Sequence, residues 1–337
     1  MRILLALIMG GCGGEAPAPT PLQGAPKSAP IPDAGRGATA PSTLGMVMIP
    51  TGTVEMGPRH LAPVSSGYAL PPLKGAKGAK GAKSPQPMLK KPGEDAPWAN
   101  MGGQVLSRRS VMVPSFLIDR TEVTRSAYAK FLTATEYRLP HVSESWADDG
   151  WNWTQAEGAG EDDQHPVVLI SFYDARAYCR WKQKRLPTEA EWQLAALGPA
   201  YEGRGYPWGG RYIDTALNHG RMEEPNFDGS DGYERTSPVG AFPTGNSPYG
   251  LADMFGNAWE FTSDFRVDDW RWFKHDGYGD KSSLINARME GPGLQVAVRG
   301  GSYYFDFRPN PGGERNSFSP ESRRKSSGFR CALNQPK

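Results

Sequence analysis

The sequence has few cysteines, almost no net charge and no long apolar run in its body. Its three cysteines, Cys12, Cys179 and Cys331, limit any thiol chemistry to those positions. The formal net charge of +2 gives no indication of a nucleic-acid or strongly acidic partner. Beyond the N-terminus, no segment reaches the roughly 20 apolar residues that a membrane-spanning helix needs.

Glycine and proline, by contrast, are abundant. The 41 glycines and 31 prolines together exceed a fifth of the 337 residues, which favours loops over long helices. Ten tryptophans nevertheless supply ample bulk for a hydrophobic core. The length suits one large domain or two smaller ones.

The first twelve residues, MRILLALIMGGC, resemble a bacterial lipoprotein signal that ends at a lipidated cysteine. One arginine precedes a short apolar run, and two glycines precede Cys12. An ordinary secretion signal, or a start assigned too early, stays open as an alternative. The pattern predicts that Cys12 carries lipid and anchors the protein at the bacterial cell envelope.

Residues 13–44 are rich in proline, alanine, glycine and serine, so they cannot bury a core. We expect this segment to be a disordered tether that holds a folded domain off the membrane. Gly13 follows the lipidated position, and the absence of an aspartate there favours the outer membrane or a periplasm-facing location.

The folded part is predicted at residues 45–335, with a low-complexity insertion at about 58–109. Met46–Gly57 indicates a strand, a turn and a second strand. Within the insertion, Gly75–Lys83 contains three tandem Gly-Ala-Lys units. Such biased sequence favours a solvated flexible segment, although a contact with anionic lipid or glycan stays open.

Two helix starts are well defined in the sequence. Ser171 is followed three residues later by Asp174, and Thr188 is followed three residues later by Glu191. Both pairs fit a capping box, in which the two side chains satisfy each other's backbone N–H groups. A further helical stripe is predicted within Arg125–Leu132.

Three other stretches indicate strands. Val111–Asp119 is mostly apolar, Val296–Tyr304 is interrupted by Gly300-Gly301, and Gly328–Leu333 is expected to form the last strand of the domain.

The stretch Gly250–Phe265, GLADMFGNAWEFTSDF, combines apolar residues with spaced carboxylates. Asp253 and Glu260 bracket the tight turn Gly256-Asn257. Carboxylates and carbonyls around a glycine turn can hold a hard cation such as calcium. From these residues alone, a surface turn between two strands is the favoured interpretation.

Seven motifs occur in the order typical of the sulfatase-modifying factor family, which includes the formylglycine-generating enzyme. They are MVMIPTGTVEMG, FLIDRTEVT, HPVVLISFYDARAYCRWKQKRLPTEAEW, YPWGG, SPVGAFPTGNSPYGLADMFGNAWEFTSD, VRGGSYYF and GFRCAL. The resemblance implies an α+β domain with a C-type lectin-like fold, short strands, few helices and much irregular loop.

The resemblance also implies two calcium ions and reverses the preference for a surface turn at Gly250–Phe265. Asp253 stands where the enzyme has asparagine, so an oxygen donor is kept and charge is added. The first implied site uses the side chains of Asn218 and Asp231 and the backbone carbonyls of His219 and Tyr233. The second implied site uses the side chains of Asp253 and Glu260 and the backbone carbonyls of Gly256 and Ala258.

The enzyme binds copper through two cysteines, and this sequence departs from that pattern. The two cysteine positions correspond to Phe305 and to a site near Asn310. Cys179 and Cys331 match positions that form a structural disulfide in relatives, although two free buried thiols stay open. Copper is therefore not expected, because soft Cu(I) needs thiolate ligands.

Two functional hypotheses follow. The first is a calcium-stabilised, lipid-anchored accessory domain, assumed to be monomeric, that binds a peptide, glycan or protein. The second is an enzyme with cysteine-independent chemistry of the maturation-oxidase type. Formylglycine generation itself is the least favoured activity. For both the accessory domain and the cysteine-independent enzyme, the candidate groove residues are Ser302, Tyr303, Tyr304, Asp306 and Arg315.

Overall fold

Short strands and three α-helices form the described part of the unit that spans residues 32–337. A computed structural model describes residues 42–56, 109–148, 150–156, 164–199, 205–220, 229–265, 295–305, 307 and 315–335. The predicted lipoprotein signal, nearly all of the predicted tether and almost the whole insertion lie outside these residues. The mixture of strands and helices confirms the predicted α+β class.

Two small antiparallel sheets contain the first four strands. One sheet has the order β1 (Met46–Ile49), β4 (Phe116–Asp119) and β9 (Ala332–Asn334). The other pairs β2 (Gly52–Met56) with β3 (Arg109–Val113). The expected strand, turn and strand at the start of the domain is present, but β1 and β2 belong to different sheets and do not pair with each other.

The pairing of β2 with β3 joins residues on either side of a long segment. Met56 and Arg109 are register partners. The two ends of the segment 57–108 are therefore attached to neighbouring positions of one strand pair. The single strand predicted at Val111–Asp119 is two strands separated by Pro114 and Ser115. Proline has no N–H to donate to a strand ladder, which explains an interruption there.

The third sheet has four strands in the order β7-β6-β5-β8. Strand β5 pairs antiparallel with β6 and parallel with β8. The predicted last strand is instead divided between β8 and β9, because the intervening residues turn from one sheet to another. The bounds are β5 (Trp259–Phe265), β6 (Val296–Arg299), β7 (Arg315–Phe318) and β8 (Ser327–Gly328).

The helices begin where the capping residues predict. Ser171 accepts a hydrogen bond from the N–H of Asp174, whose carboxylate accepts one from the N–H of Ser171. Thr188 and Glu191 make the same reciprocal pair. Both predicted capping boxes are therefore confirmed. The helices are α1 (Arg125–Thr135), α2 (Phe172–Trp181) and α3 (Glu189–Leu197).

The stretch Gly250–Phe265 lies in the interior. Every residue from Leu251 to Thr262 is buried, and β5 begins within it. A surface turn is therefore the wrong interpretation of this stretch. Its aromatic side chains belong to two hydrophobic clusters, with Phe255 in one and Trp259 in the other.

A disulfide joins Cys179 of α2 to Cys331, the residue before β9. The two Cα atoms are 5.7 Å apart, and the residues are separated by 152 positions in the sequence. The predicted pairing is confirmed, and the alternative of two free thiols is wrong. Within the described parts of the chain, no helix is both long and apolar enough to cross a bilayer.

Candidate functional site

The four residues predicted for the first calcium site lie together in two loops. The Asp231 carboxylate accepts hydrogen bonds from the backbone N–H groups of His219 and Tyr233, each at 2.8 Å. It also accepts one from Asn218 Nδ2 at 2.9 Å. Burial raises the pKa of Asp231, and the two backbone donors oppose that rise.

Asn218 supplies the observation that tests whether a cation fits this first site. Its Nδ2 also donates to the carbonyl of Arg235 at 3.1 Å, so both known contacts of the amide are on the nitrogen. Its Oδ1 is buried and has no hydrogen-bond partner. A buried oxygen without a donor is costly in a protein interior, and calcium takes amide and carboxylate oxygens as ligands. These residues therefore fit a calcium ion.

The second predicted site contains a buried ion pair. Arg330 donates from Nη2 to Glu260 Oε1 and from Nε to Glu260 Oε2, both at 2.7 Å. Trp192 Nε1 adds a hydrogen bond to Oε2 at 2.9 Å. The Glu260 and Arg330 side chains are both fully buried. Glu260, predicted as a calcium ligand, is thus already neutralised by a bidentate partner.

Asp253 lies in the same second site with fewer partners. Its Oδ2 accepts a hydrogen bond from the N–H of Gly240 at 2.6 Å, and its backbone is left-handed with φ 55°. Burial raises the pKa of this carboxyl group, while the Gly240 donor, Arg330 and a side-chain hydrogen bond with Glu122 lower it.

Sequence reasoning missed a third carboxylate at this second site, Glu122. It is only 2% exposed, and the groups that reach its carboxyl group are the Asp253 carboxyl group and its own backbone N–H. Burial raises its pKa well above the usual value, the charges of Asp253 and Glu260 raise it further, and Arg330 opposes them. No local motif identifies Glu122 as part of this site, because its neighbours Asp253, Glu260 and Arg330 lie far along the chain.

The loops of the two candidate sites touch each other at Gly256. A Cβ atom at Gly256 would overlap the backbone oxygen of Asn218, and the glycine has φ 93°. Only glycine suits both conditions. In the parts of the chain that the structure describes, no three His, Cys, Asp or Glu side chains are grouped as metal ligands. Either site would thus rely on carbonyl and amide oxygens as well as carboxylates.

Asn257 connects both loops to the predicted groove. Its N–H donates to the carbonyl of Asn218 at 3.1 Å, and its carbonyl accepts from the N–H of Tyr303 at 2.9 Å. Its side-chain Oδ1 accepts from the N–H of Ser237 at 3.0 Å. Asn257 has φ 57°, a left-handed conformation that asparagine tolerates better than most residues.

The predicted groove residues Ser302, Tyr303 and Tyr304 are consecutive and differ in exposure. Ser302 is buried, and its Oγ has no hydrogen-bond partner. Tyr303 is buried and stacks on Trp151 with ring centroids 6.3 Å apart; burial raises the pKa of its phenol. Tyr304 is 45% exposed, and its hydroxyl lies 3.1 Å from Ser326 Oγ.

Two cationic side chains extend this aromatic surface. The Arg235 guanidinium lies 4.6 Å from the Trp151 ring centroid, and the Lys325 ammonium lies 5.9 Å from it. We call Trp151, Arg235, Tyr303, Tyr304 and Lys325 the aromatic–cationic surface. Its chemistry suits a ligand with an apolar or aromatic group next to a negative charge.

Phe305 is the residue that the family resemblance matches to the first copper-binding cysteine. Its ring packs against Trp259 and Phe307 at centroid distances of 5.8 and 5.1 Å. Its carbonyl accepts a hydrogen bond from the N–H of Gly220 at 3.1 Å. This position therefore holds part of an aromatic cluster instead of a thiol.

Arg315 is the other predicted groove residue that the structure describes. Arg315 donates to the buried carboxylate of Glu189 from Nε at 2.6 Å and from Nη2 at 3.1 Å. Its role in a groove stays a prediction. Asp306 and Asn310 lie outside the described residues.

The family model and the relatives that match this chain agree with each other. The family model described as "Sulfatase-modifying factor enzyme 1-like domain" matches residues 33–335. The mouse formylglycine-generating enzyme is 30% identical over 279 residues, which cover 71% of this chain and 71% of that protein. The bovine protein named inactive Cα-formylglycine-generating enzyme 2 is 36% identical over 187 residues, covering 46% and 62%.

A solved structure agrees with the fold. PvdO from Pseudomonas aeruginosa superposes with a TM-score of 0.56 at 22% identity, covering 86% of this chain and 94% of that one. At this identity the similarity supports the architecture alone.

Proposed function

Because the chain belongs to the sulfatase-modifying factor family, we propose that it is a divergent member that binds a ligand and has no copper oxidase activity. The observation that carries this proposal is Phe305. Its aromatic ring packs against Trp259 and Phe307, at the position that the resemblance matches to a copper-binding cysteine of the enzyme. A phenyl ring offers no ligand to copper.

The other cysteines do not replace the missing pair. Cys179 and Cys331 are joined to each other, and a disulfide lacks the thiolates that Cu(I) requires. The third cysteine of the chain, Cys12, belongs to the proposed lipid anchor. This distribution supports a family member that does not oxidise cysteine through copper.

Calcium would stabilise the fold in this proposal without contacting the ligand. Asn218 would supply its side-chain oxygen to one ion, together with Asp231, and Asp253 would supply a carboxylate to the other. Asn218 is 1% exposed and Asp253 is 7% exposed. An ion held by the buried Asp253 could not bridge directly to a sugar, which argues against glycan recognition through that ion.

We therefore favour a peptide segment, free or within a partner protein, as the ligand. The aromatic–cationic surface offers Tyr304 for apolar contact and cations beside Trp151 for an acidic group. Aromatic and cationic residues of this kind are enriched where proteins recognise one another.

A cysteine-independent enzyme is the second candidate. The observation that favours it is Ser302, which precedes Tyr303 in the chain and whose buried hydroxyl has no hydrogen-bond partner. Buried polar groups of this kind can position a substrate. Turnover of a bound peptide, detected as a change in its mass, would distinguish this candidate from simple binding.

Two measurements test the binding proposal. Protein incubated with copper and a cysteine-containing sulfatase peptide should form no aldehyde by mass spectrometry, and aldehyde formation would refute the argument from Phe305. A random 12-residue peptide display library should yield binders that carry acidic and aromatic residues.

The selected peptides should bind at least about tenfold more weakly to Tyr304→Ala, because the exposed ring supplies contact area. Met112→Ala is the matched control, since Met112 is an exposed apolar residue on β3. Equal affinity for both variants, or no selected peptide at all, would contradict the peptide-binding surface.

A further inference from the structure

A cavity of about 370 Å³ lies where the N-terminal segment joins the folded unit. Ser42, Leu44 and Gly45, among the first residues that the structure describes, form one wall. Residues 119–124 and the neighbouring parts of α1 and α2 form the rest. The N–H of Arg120 donates to the carbonyl of Gly45 at 3.0 Å, which holds the two walls together. We call this feature the entry cavity.

The charges that line the entry cavity are unequal. Lys184 donates from Nζ to Asp119 Oδ1 at 2.6 Å, so these two charges offset each other. Arg120 and Lys182 are exposed cations. Among the residues that the structure describes, neither is in ion-pair contact with a carboxylate. The entry cavity therefore presents two positive charges that the described part of the protein does not neutralise.

One further carboxyl group, that of Glu122, lines the entry cavity. Its side chain is only 2% exposed, and the Asp253 carboxyl group reaches it. The Arg120 guanidinium, by contrast, donates from Nη1 to the neutral carbonyl of Gly250 at 2.7 Å. A ligand that enters from solvent would therefore meet the cations and not this buried acid.

Lys182 lies against an apolar ring and near other cations. Its ammonium is 4.6 Å from the ring centroid of Trp181. Burial and the like charges of Lys184 and Lys130 lower the pKa of Lys182, and Asp119 opposes them. An anion bound beside Lys182 would offset the repulsion between these cations.

Leu44 adds an apolar side chain to the same cavity. It is 91% exposed, more than any other large apolar side chain among the described residues. Exposed apolar groups beside cations are typical of surfaces that contact a bilayer, where the apolar groups enter the acyl boundary and the cations meet anionic headgroups. A soluble phosphate ester would use the cations and gain nothing from Leu44.

We propose that the entry cavity binds the phosphate group of an anionic lipid headgroup, so that the folded unit docks on the membrane. Lys182 supplies a point charge and Arg120 supplies a guanidinium, and both groups are common phosphate ligands. A cavity of about 370 Å³ is at the small end of small-molecule sites. This size suits a headgroup and leaves the acyl chains outside the protein.

The position of the entry cavity suits a lipid better than a soluble ester. Cys12, which carries the proposed lipid anchor, is separated from Ser42 by about 30 residues, and a flexible chain of that length spans roughly 30 Å on average. A link of this kind gives an effective concentration in the millimolar range, so weak headgroup binding suffices. The choice of a lipid thus rests in part on the proposed anchor, whereas the cationic cavity does not.

Vesicle binding tests the inference on the full chain carrying Cys12→Ala, so that no acyl chain contributes. This protein should cosediment with phosphatidylcholine vesicles that contain phosphatidylglycerol, and it should bind pure phosphatidylcholine vesicles at least about fivefold more weakly. Lys182→Glu should remove most of this preference, and Lys182→Arg should keep it. Arg211→Glu makes a matched charge change at an exposed arginine outside the cavity and should also keep it. The N-terminal residues are the same in all of these proteins, so any contribution from them cancels.

Two further measurements separate the phosphate contact from the apolar contact. Glycerol phosphate at constant ionic strength should compete with the anionic vesicles, because it carries the same phosphate group. Leu44→Ser should weaken vesicle binding and leave the binding of glycerol phosphate unchanged.

Three outcomes would overturn the inference. Equal binding to both kinds of vesicle would exclude the headgroup site, and an equal loss in Lys182→Glu and Arg211→Glu would show attraction to the whole surface instead of the cavity. Binding of glycerol phosphate without a preference for anionic vesicles would identify a soluble ester as the ligand. Should Lys182→Glu fail to fold, Lys182→Gln is the second variant and should also reduce the preference. Peptide binding and acylation of Cys12 are measured separately, so their failure would produce none of these results.

Discussion

Asp264 is a buried carboxyl group on β5 whose pKa is raised to about 7. Burial is the main cause, the charges of Glu189 and Glu191 add to it, and Arg315 opposes it. Its Oδ2 accepts the backbone N–H of Glu189 at the start of α3. This single residue therefore makes the stability of the helix start depend on pH.

The free energy of unfolding should fall as the pH rises from about 4 to about 7 because of this group. In that window the folded protein keeps the proton of Asp264 while the unfolded chain releases it. The slope from one such group is at most about 1.4 kcal/mol per pH unit. Asp264→Asn should remove this contribution, measured by urea unfolding at a series of pH values.

Glu144→Gln, which changes an exposed carboxylate, is the control and should leave the slope unchanged. If Asp264→Asn has the same pH dependence as the unmodified protein between pH 4 and 7, the raised pKa of Asp264 is wrong.

Some individual residues of the candidate sites can be predicted from the sequence, and others cannot. Asp253 and Glu260 stood out because both lie in one short run around a glycine turn. Glu122 and Trp151 gave no such signal, since their partners are brought to them by tertiary contacts. Local spacing cannot reveal a residue whose role depends on distant segments.

At the scale of elements, the helix starts followed from sequence and the strand pairing did not. Capping boxes at Ser171 and Thr188 are local, so three intervening residues suffice to define them. Strands β1 and β2 are adjacent in sequence but pair with β4 and β3. Their partners depend on long-range contacts that short apolar runs do not specify.

The disulfide between α2 and the residue before β9 is the covalent link at this scale. Replacing Cys179 and Cys331 together by alanine should lower the free energy of unfolding by about 2–5 kcal/mol, because the unfolded chain gains freedom. Urea unfolding of the double variant and of the unmodified protein checks this.

Unmodified protein treated with a reductant should approach the double variant, and the double variant itself should not respond to reductant. Equal stability of the oxidised protein and the double variant would show that this link contributes nothing.

For the whole molecule, we propose that Cys12 attaches the folded unit to the bacterial envelope through a lipid. Expressed in a bacterial host, the unmodified chain should enter the membrane fraction and incorporate labelled palmitate. Cys12→Ala should lose both properties, because one acyl-bearing cysteine is the proposed link to the bilayer. Ser28→Ala, a small change elsewhere in the N-terminal segment, should keep both. Undiminished labelling of Cys12→Ala would exclude the anchor.

The pairing of Met56 with Arg109 has a consequence for how this fold can change. Because the strand ends that flank residues 57–108 are register partners, the connection between them only has to close a hairpin. The entropic cost of closing a flexible connection rises by only about 0.6 kcal/mol for each doubling of its length. This junction is therefore a natural point of insertion, where whole segments can be gained, lost or grafted during evolution without disturbing either strand.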